Sequence, residues 1–111
     1  MKRIEAIIRP EAVKDVVEAL AGLGYPGLTL SEVRGHGRQQ GQLQWRGATY
    51  NVDLLPKVKL DIVAIDEDAP GLLQAIVRGA RTGQPGDGKI FVSEVSEALR
   101  IRTGDSDENA I

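Results

Sequence analysis

Residues 57–95, KVKLDIVAIDEDAPGLLQAIVRGARTGQPGDGKIFVSEV, decide the architecture. From Lys57 to Asp66 the chain is rich in valine, isoleucine and leucine and reads as a strand. Asp68 and Pro70 then open a helix, because proline fits a first helical turn and little else of it. Leu72, Leu73, Ile76 and Val77 recur at helical spacing and predict its buried stripe. Three glycines break the pattern between Thr82 and Gly88, and Lys89 to Val95 returns as a strand. The unit is strand, helix, glycine-rich loop, strand.

The N-terminal half follows the same plan. Ile4, Ala6 and Ile8 alternate with Glu5 and Arg9, which is the period of a strand, and Pro10 ends it. Val13, Val16, Val17 and Leu20 predict a helix, with Gly24 placed where a helix C-terminus favours glycine. Tyr25-Pro26-Gly27 reads as a turn and residues 28–34 as a second strand. Residues 35–53 then show no periodicity and are rich in glycine, glutamine and arginine. An excursion of that length in a small domain is usually functional. Ala98 to Arg102 is expected as a short fifth strand, and residues 105–111 as a flexible acidic tail. There is no further internal repeat and no low-complexity tract.

The order β-α-β-loop-β-α-β predicts an α+β class, a ferredoxin-like βαββαβ sandwich in one domain spanning 1–111. Two helices cover one face of a four-stranded sheet. The other face is expected to carry aliphatic residues buried against further subunits.

Composition narrows the function. The 111 residues are 41% hydrophobic and 27% charged, which places the chain among globular domains. A domain of this size buries about two-thirds of its unfolded surface. The net charge of −2 argues against a general nucleic-acid or anionic-membrane binder. The lack of cysteine excludes disulfides and thiolate metal sites and fits a reducing compartment. The first residues are too charged for a signal peptide, and no apolar run suits a membrane span, so a cytoplasmic location is expected.

Three weak signals point to an anion. Gly83 to Lys89 matches the first part of a phosphate-binding loop, G-x-x-x-x-G-K, but Ile90 follows where a hydroxyl is needed. A strand follows where such a loop needs a helix. What survives is a glycine-rich backbone open to an anion, beside the charge of Lys89. A tight helix-to-strand turn explains the same residues. Gly35, Gly37 and Gly41 resemble a dinucleotide fingerprint with wrong spacing, and suit a hinge equally well. Arg100 and Arg102 alternate, so on a strand both guanidinium groups would face one side as a phosphate clamp. A solvated edge strand explains them too. His36 is the sole histidine and lacks the partners of a metal ligand, and Ser31, Ser93 and Ser96 lack a plausible base.

Taken together, IEAIIRP, EVRGHGRQQG, RGATYNVDLLPKVK, TGQPGDGKIFV and RIRTG resemble the signature segments of the PII signal-transduction family, in order and over almost the whole chain. The resemblance implies a homotrimer with its sheets facing the centre. It implies a non-enzymatic sensor that binds ATP or ADP between subunits and 2-oxoglutarate together with Mg²⁺-ATP. A long T-loop, here about residues 37–54, would dock on an ammonium channel or a nitrogen-assimilation enzyme, so a membrane would be met only indirectly and nucleic acid not at all. Carried over residue by residue, nucleotide binding falls to Thr29, Gly35, Gly37, Arg38, Gln39, Ala64, Gly86, Asp87, Gly88, Lys89, Arg100 and Arg102. Gln39 would complete the Mg²⁺ sphere. Gln39, Gly41, Lys57 and Arg9 would receive 2-oxoglutarate. Tyr50 matches a tyrosine that some bacterial members have uridylylated, and Trp45 and Arg46 would dock a target.

The departures fall on the docking loop, which is one residue short between Gly41 and Arg46. Trp45, Gln42 and Thr49 replace common residues, as do Glu11, where phenylalanine is usual, and His36. These changes leave room for a divergent nucleotide sensor that controls a non-ammonium transporter or another enzyme without uridylylation. Two further readings compete. A small ATP-dependent transferase lacks a base or nucleophile, since Asp87 is a turn aspartate that serves its own backbone. A CutA-like structural trimer that binds divalent metal leaves Arg38, Lys89, Arg100 and Arg102 without a role.

Overall fold

The computed structural model describes residues 1–25, 27–36, 41–45, 48–52 and 54–111, with 41–45 and 48–52 described by their backbone. Strand β1 (Lys2–Ile8) leads through a 3-10 turn (Pro10–Ala12) into helix α1 (Val13–Gly22). Strand β2 (Thr29–Gly35) is followed by a hairpin of β3 (Gly41–Trp45) and β4 (Ala48–Val52). Strand β5 (Leu55–Ala64), a second 3-10 turn (Asp66–Asp68), helix α2 (Ala69–Ala80) and strand β6 (Lys89–Glu94) complete the domain. The main sheet has the order β2-β5-β1-β6, and β1 pairs antiparallel with both β5 and β6. Because β5 also pairs antiparallel with β2, strands β1 and β2 run parallel with β5 between them. This is the expected ferredoxin-like α+β arrangement.

The register explains the core. Ile4, Ala6 and Ile8 stand opposite Ile62, Leu60 and Val58, so one face of the central strands is aliphatic. Val16 and Leu20 of α1 and Leu72, Ala75 and Ile76 of α2 close over it, all buried. The helices approach closely at Gly79, where an added Cβ would sit 2.9 Å from the Val16 backbone. The stripe expected on α2 is rotated slightly. Leu72 and Ile76 are buried, whereas Leu73 and Val77 are half-buried and Ala69, Ala75 and Ala80 take the inner positions. Small residues let α2 lie close to its neighbours, and hydrophobicity alone undervalues them.

Three expectations are refined or corrected. The opposite sheet face carries several aliphatic residues, as expected, but charged pairs are set among them. Arg3 donates to both oxygens of Asp61, at 2.9 and 2.7 Å, and Lys59 pairs with Glu5 at 2.6 Å. The apolar residues on that face are Ile7, Val33, Leu55, Val63 and Phe91, and Phe91 is exposed. Hydrogen bonding from Arg3 holds the Asp61 carboxyl below its usual range. Second, the excursion after β2 contains regular structure: β3 and β4 pair with Leu43 opposite Tyr50 and Trp45 opposite Ala48. The alternation in GQLQW and ATYNV was the overlooked signal. Third, Ala98 to Arg102 is not a strand. Leu99 alone bridges to Ser106, and residues 101–103 turn. Gly104, at a φ of +73°, donates to the Arg100 carbonyl at 2.8 Å and closes that turn. Residues 105–111 fold back, with the Asp107 amide donating to the Ala98 carbonyl and a 3-10 turn over Asp107–Ala110.

Candidate ligand site at the glycine-rich loop

The site begins where β1 ends. Ile8 pairs with Val58, so Arg9 and Lys57 are the next cross-strand neighbours, on the face away from the helices. Two cations set side by side repel. The structure relieves this by giving them carbonyl oxygens. Arg9 Nη2 donates to the Pro85 carbonyl at 2.7 Å, and Lys57 Nζ donates to the Gly86 carbonyl at 3.0 Å. Burial, with Arg9 as the second cause, lowers the Lys57 ammonium from its usual value. Gly35 leaves room for the Lys57 stem, since an added Cβ would lie 3.4 Å from its Cγ.

The loop is built around Asp87. Its carboxylate accepts hydrogen bonds from the Thr82 and Gly83 amides, each at 2.8 Å, and from the Thr82 hydroxyl. Arg9 Nη2 lies 3.5 Å from the same carboxylate. These bonds, led by the Thr82 hydroxyl, hold the Asp87 carboxyl down at about 2. A turn aspartate that serves its own backbone was the expectation: Oδ2 accepts the two loop amides, while Oδ1 takes the Thr82 hydroxyl and faces Arg9. Gly83, Gly86 and Gly88 have φ values of +86°, +103° and +107°. Gly88 passes so near β1 that an added Cβ would fall 1.8 Å from the Ile7 carbonyl oxygen. The glycines therefore serve chain path first, and the same path leaves the loop backbone beside two cations.

Gly35 ends β2, opposite Leu55 at the start of β5, so the 36–54 excursion springs from the same end of the sheet as Lys57. Lys89 opens β6, paired with Ile7, and is exposed. The structure thus gathers Arg9, Lys57, Gly35 and the Gly86–Lys89 segment at one corner. Other expected site residues lie elsewhere. Thr29 is paired with Asp61 on the face away from the helices, whereas the Ala64 side chain is fully buried beneath them, so the two do not share a face. Arg100 and Arg102 sit on the Leu99–Ser106 turn, where Arg100 lies 3.6 Å from Asp105. Gly41, Trp45 and Tyr50 are placed on the hairpin backbone. Gly37, Arg38, Gln39 and Arg46 lie outside the described residues.

Sequence reasoning missed Thr82, the Pro85 carbonyl and the role of Ile7. The T-x4-D spacing of Thr82 and Asp87 was the one available signal. A shallow depression of about 570 Å³ runs along α2 past Leu73, Val77 and Arg81, but none of the corner residues lines it. Concavity alone would therefore mislead. Among the described residues no group of three histidine, cysteine or carboxylate side chains is placed to hold a metal. No described helix is long and apolar enough to cross a membrane.

One detail marks the corner as more than a braced turn. Arg9 Nε is buried, and among the described residues it has no hydrogen-bond partner. An orphaned donor of this kind is uncommon in folded proteins and calls for an explanation such as an absent ligand.

Fold and corner together define a ferredoxin-like α+β domain whose cationic end lies at the root of a hairpin. The family described as Nitrogen regulatory protein P-II matches residues 1–105, and the chain belongs to that family. A Nitrogen regulatory protein P-II from Pasteurella multocida is 53% identical over the full length of both chains. Nitrogen regulatory protein P-II 1 of Escherichia coli K12 is 52% identical over the full length of both, and P-II 2 of Methanothermobacter thermautotrophicus is 52% identical over all of this chain and 97% of its own. The first alignment spans 112 positions against 111 residues here, so that relative carries at least one residue that this chain lacks.

Proposed function

We propose that the chain is a homotrimeric sensor that binds ATP or ADP, takes up 2-oxoglutarate with Mg²⁺-ATP, and regulates a protein of nitrogen metabolism or transport through its T-loop, about residues 37–54. The observation that carries this reading is the convergence of Arg9 and Lys57 on the glycine-rich loop, with Arg9 Nε lacking a hydrogen-bond partner among the described residues, at the root of the β3–β4 hairpin. Gly86, Gly88 and Lys89 suit the phosphates. Lys57 and Arg9 suit the distal carboxylate of a 2-oxo acid, because charged donors bind carboxylates with short, strong hydrogen bonds. Gln39 and Gly41 would meet the acid from the hairpin side, and Gln39 would also reach a Mg²⁺ held by the phosphates. Mg²⁺ would supply the electrostatic link between nucleotide and acid.

Regulation follows from position. A ligand that engages both Lys57 and the start of the hairpin interacts differently with each arrangement of the hairpin, which is what shifts a population. Arg100 and Arg102, on a separate turn, suit a nucleotide bound between subunits rather than within one. The reading assigns the chain no turnover. Tyr50 is the residue for nucleotidyl modification where that occurs, and Trp45 and Arg46 for docking an ammonium channel or a nitrogen-assimilation enzyme.

Calorimetric titration of 2-oxoglutarate tests the reading, with the protein saturated by Mg²⁺-ATP or by ADP. Strong binding with ATP and weak binding with ADP is expected, and the acid must tighten ATP by the same factor. Equal affinity in the two cases, or none in either, would reduce the chain to a nucleotide sensor for another signal.

A further inference from the structure

We propose that Thr82 is a positioning residue for nucleotide binding: its hydroxyl sets the orientation of Asp87 and, through it, the path of the Gly86–Lys89 backbone that takes the phosphates. The proposal rests on the reading of that backbone as a phosphate site. Thr82 stands two residues beyond the end of α2 and carries the only hydroxyl between Arg81 and Ile90. The hydroxyl donates to Asp87 Oδ1, and its oxygen accepts from the Gln84 amide at 3.2 Å, so the group is held from both sides.

The loop needs such a tie. Gly83 and Gly86, at φ values of +86° and +103°, give it more backbone freedom than other residues would. On one side the Arg81 amide donates to the Val77 carbonyl at 2.9 Å and holds the chain to α2. On the other, Gly88 lies against Ile7. Between these anchors the cross-links converge on the Asp87 carboxylate. Oδ2 accepts the Thr82 and Gly83 amides, and a different residue at position 82 would still supply that backbone donor. Oδ1 receives the Thr82 hydroxyl and lies 3.5 Å from Arg9 Nη2. The same Nη2 donates to the Pro85 carbonyl at 2.7 Å. While the hydroxyl serves Oδ1, the guanidinium stays with Pro85. Without it, Oδ1 competes with Pro85 for Nη2, and both the carboxylate and the loop beside it can shift. The hydroxyl is also the leading cause that holds the Asp87 carboxyl at about 2. No residue from 81 to 89 belongs to the buried core, so the hydroxyl governs the loop rather than the fold.

The test compares Thr82→Val, which keeps the shape and removes the hydroxyl, with Thr82→Ser, which keeps the hydroxyl. Both are made in the full chain and measured at a temperature where wild type and variants are folded by circular dichroism. In calorimetry Thr82→Val is expected to bind ATP about tenfold more weakly, the factor that one hydrogen bond to a charged group commands, whereas Thr82→Ser stays close to wild type. In a carbon NMR titration without ligand, the Asp87 carboxyl midpoint is expected to rise in Thr82→Val and to hold in Thr82→Ser. A midpoint that does not move in Thr82→Val overturns the proposal. A midpoint that rises with unchanged ATP affinity overturns the positioning role. Equal weakening of ATP in both variants shows that the hydroxyl is not the cause and overturns it too. Wild-type chain that binds no ATP overturns the phosphate-site reading itself, and the proposal with it.

Discussion

Gly88 lies against Ile7 so closely that a methyl group on its Cα would stand 1.8 Å from the Ile7 carbonyl oxygen. The φ of Gly88 is +107°, a region that side chains disfavour. Gly88→Ala therefore meets both a backbone clash and backbone strain, the latter alone costing roughly 1–3 kcal/mol. The variant is expected to melt at lower temperature and to bind ATP at least tenfold more weakly, because the loop must leave β1. Thermal denaturation with calorimetry checks both, and wild-type values in each would show that the loop can be displaced without loss.

Asp87 gives a pH signature. Its carboxyl is held at about 2 in the folded chain, led by the Thr82 hydroxyl, against roughly 3.9 when unfolded. A depressed carboxyl stabilises the fold fully above the unfolded value and loses that contribution as pH falls through the folded one. Asp87→Asn should lower the melting temperature at pH 7, and the gap from wild type should close between about pH 4 and pH 2. A gap that is constant with pH would show that the carboxylate charge is irrelevant to the loop.

Lys89 and Lys57 are expected to separate the two ligands. Lys89→Ala should weaken ATP about tenfold or more, since a charged hydrogen bond to phosphate is worth roughly 1.5–3 kcal/mol. Lys57→Ala should leave ATP nearly unchanged and abolish the effect of 2-oxoglutarate. The reverse pattern in calorimetry would exchange their roles.

Gly79 tests the helix pair. Alanine is the better helix former by about 1 kcal/mol. The added Cβ would nevertheless meet the Val16 backbone at 2.9 Å, and backbone cannot swing aside. Overpacking of this kind costs typically 1–3 kcal/mol, so Gly79→Ala is expected to destabilise. Urea denaturation decides the sign, and a gain in stability would mean that the helices are free to separate.

The trimer is tested by light scattering at micromolar concentration. The described chain leaves Phe91, Leu99 and Ile101 exposed, Ile101 at 99%. A trimer is expected to cover such residues, and a monomer at that concentration would refute the assembly.

What the sequence disclosed was whatever local chemistry determines. Pro10, Gly24 and Pro70 mark boundaries by their own backbone limits, and the structure places helix ends beside each. The cationic corner was legible as residue types, through Lys57 and Arg9, but its geometry was not. It depends on the pairing of Ile8 with Val58, a contact between distant parts of the chain. Arg100 and Arg102 misled because alternation looked like a strand, whereas Gly104, two residues on, turns the chain.

The pairing of Ile8 with Val58 also ties two properties that usually vary independently. A slip of β5 by one residue along β1 would turn Val58, Leu60 and Ile62 out of the core and carry Lys57 to the helix side. The cost of exposing the aliphatic strand thus guards the position of a surface charge. Mutations that tune the corner through the identity of exposed side chains are open to the chain at little structural risk. Mutations that would tune it by moving Lys57 are closed, because they unmake the interior first.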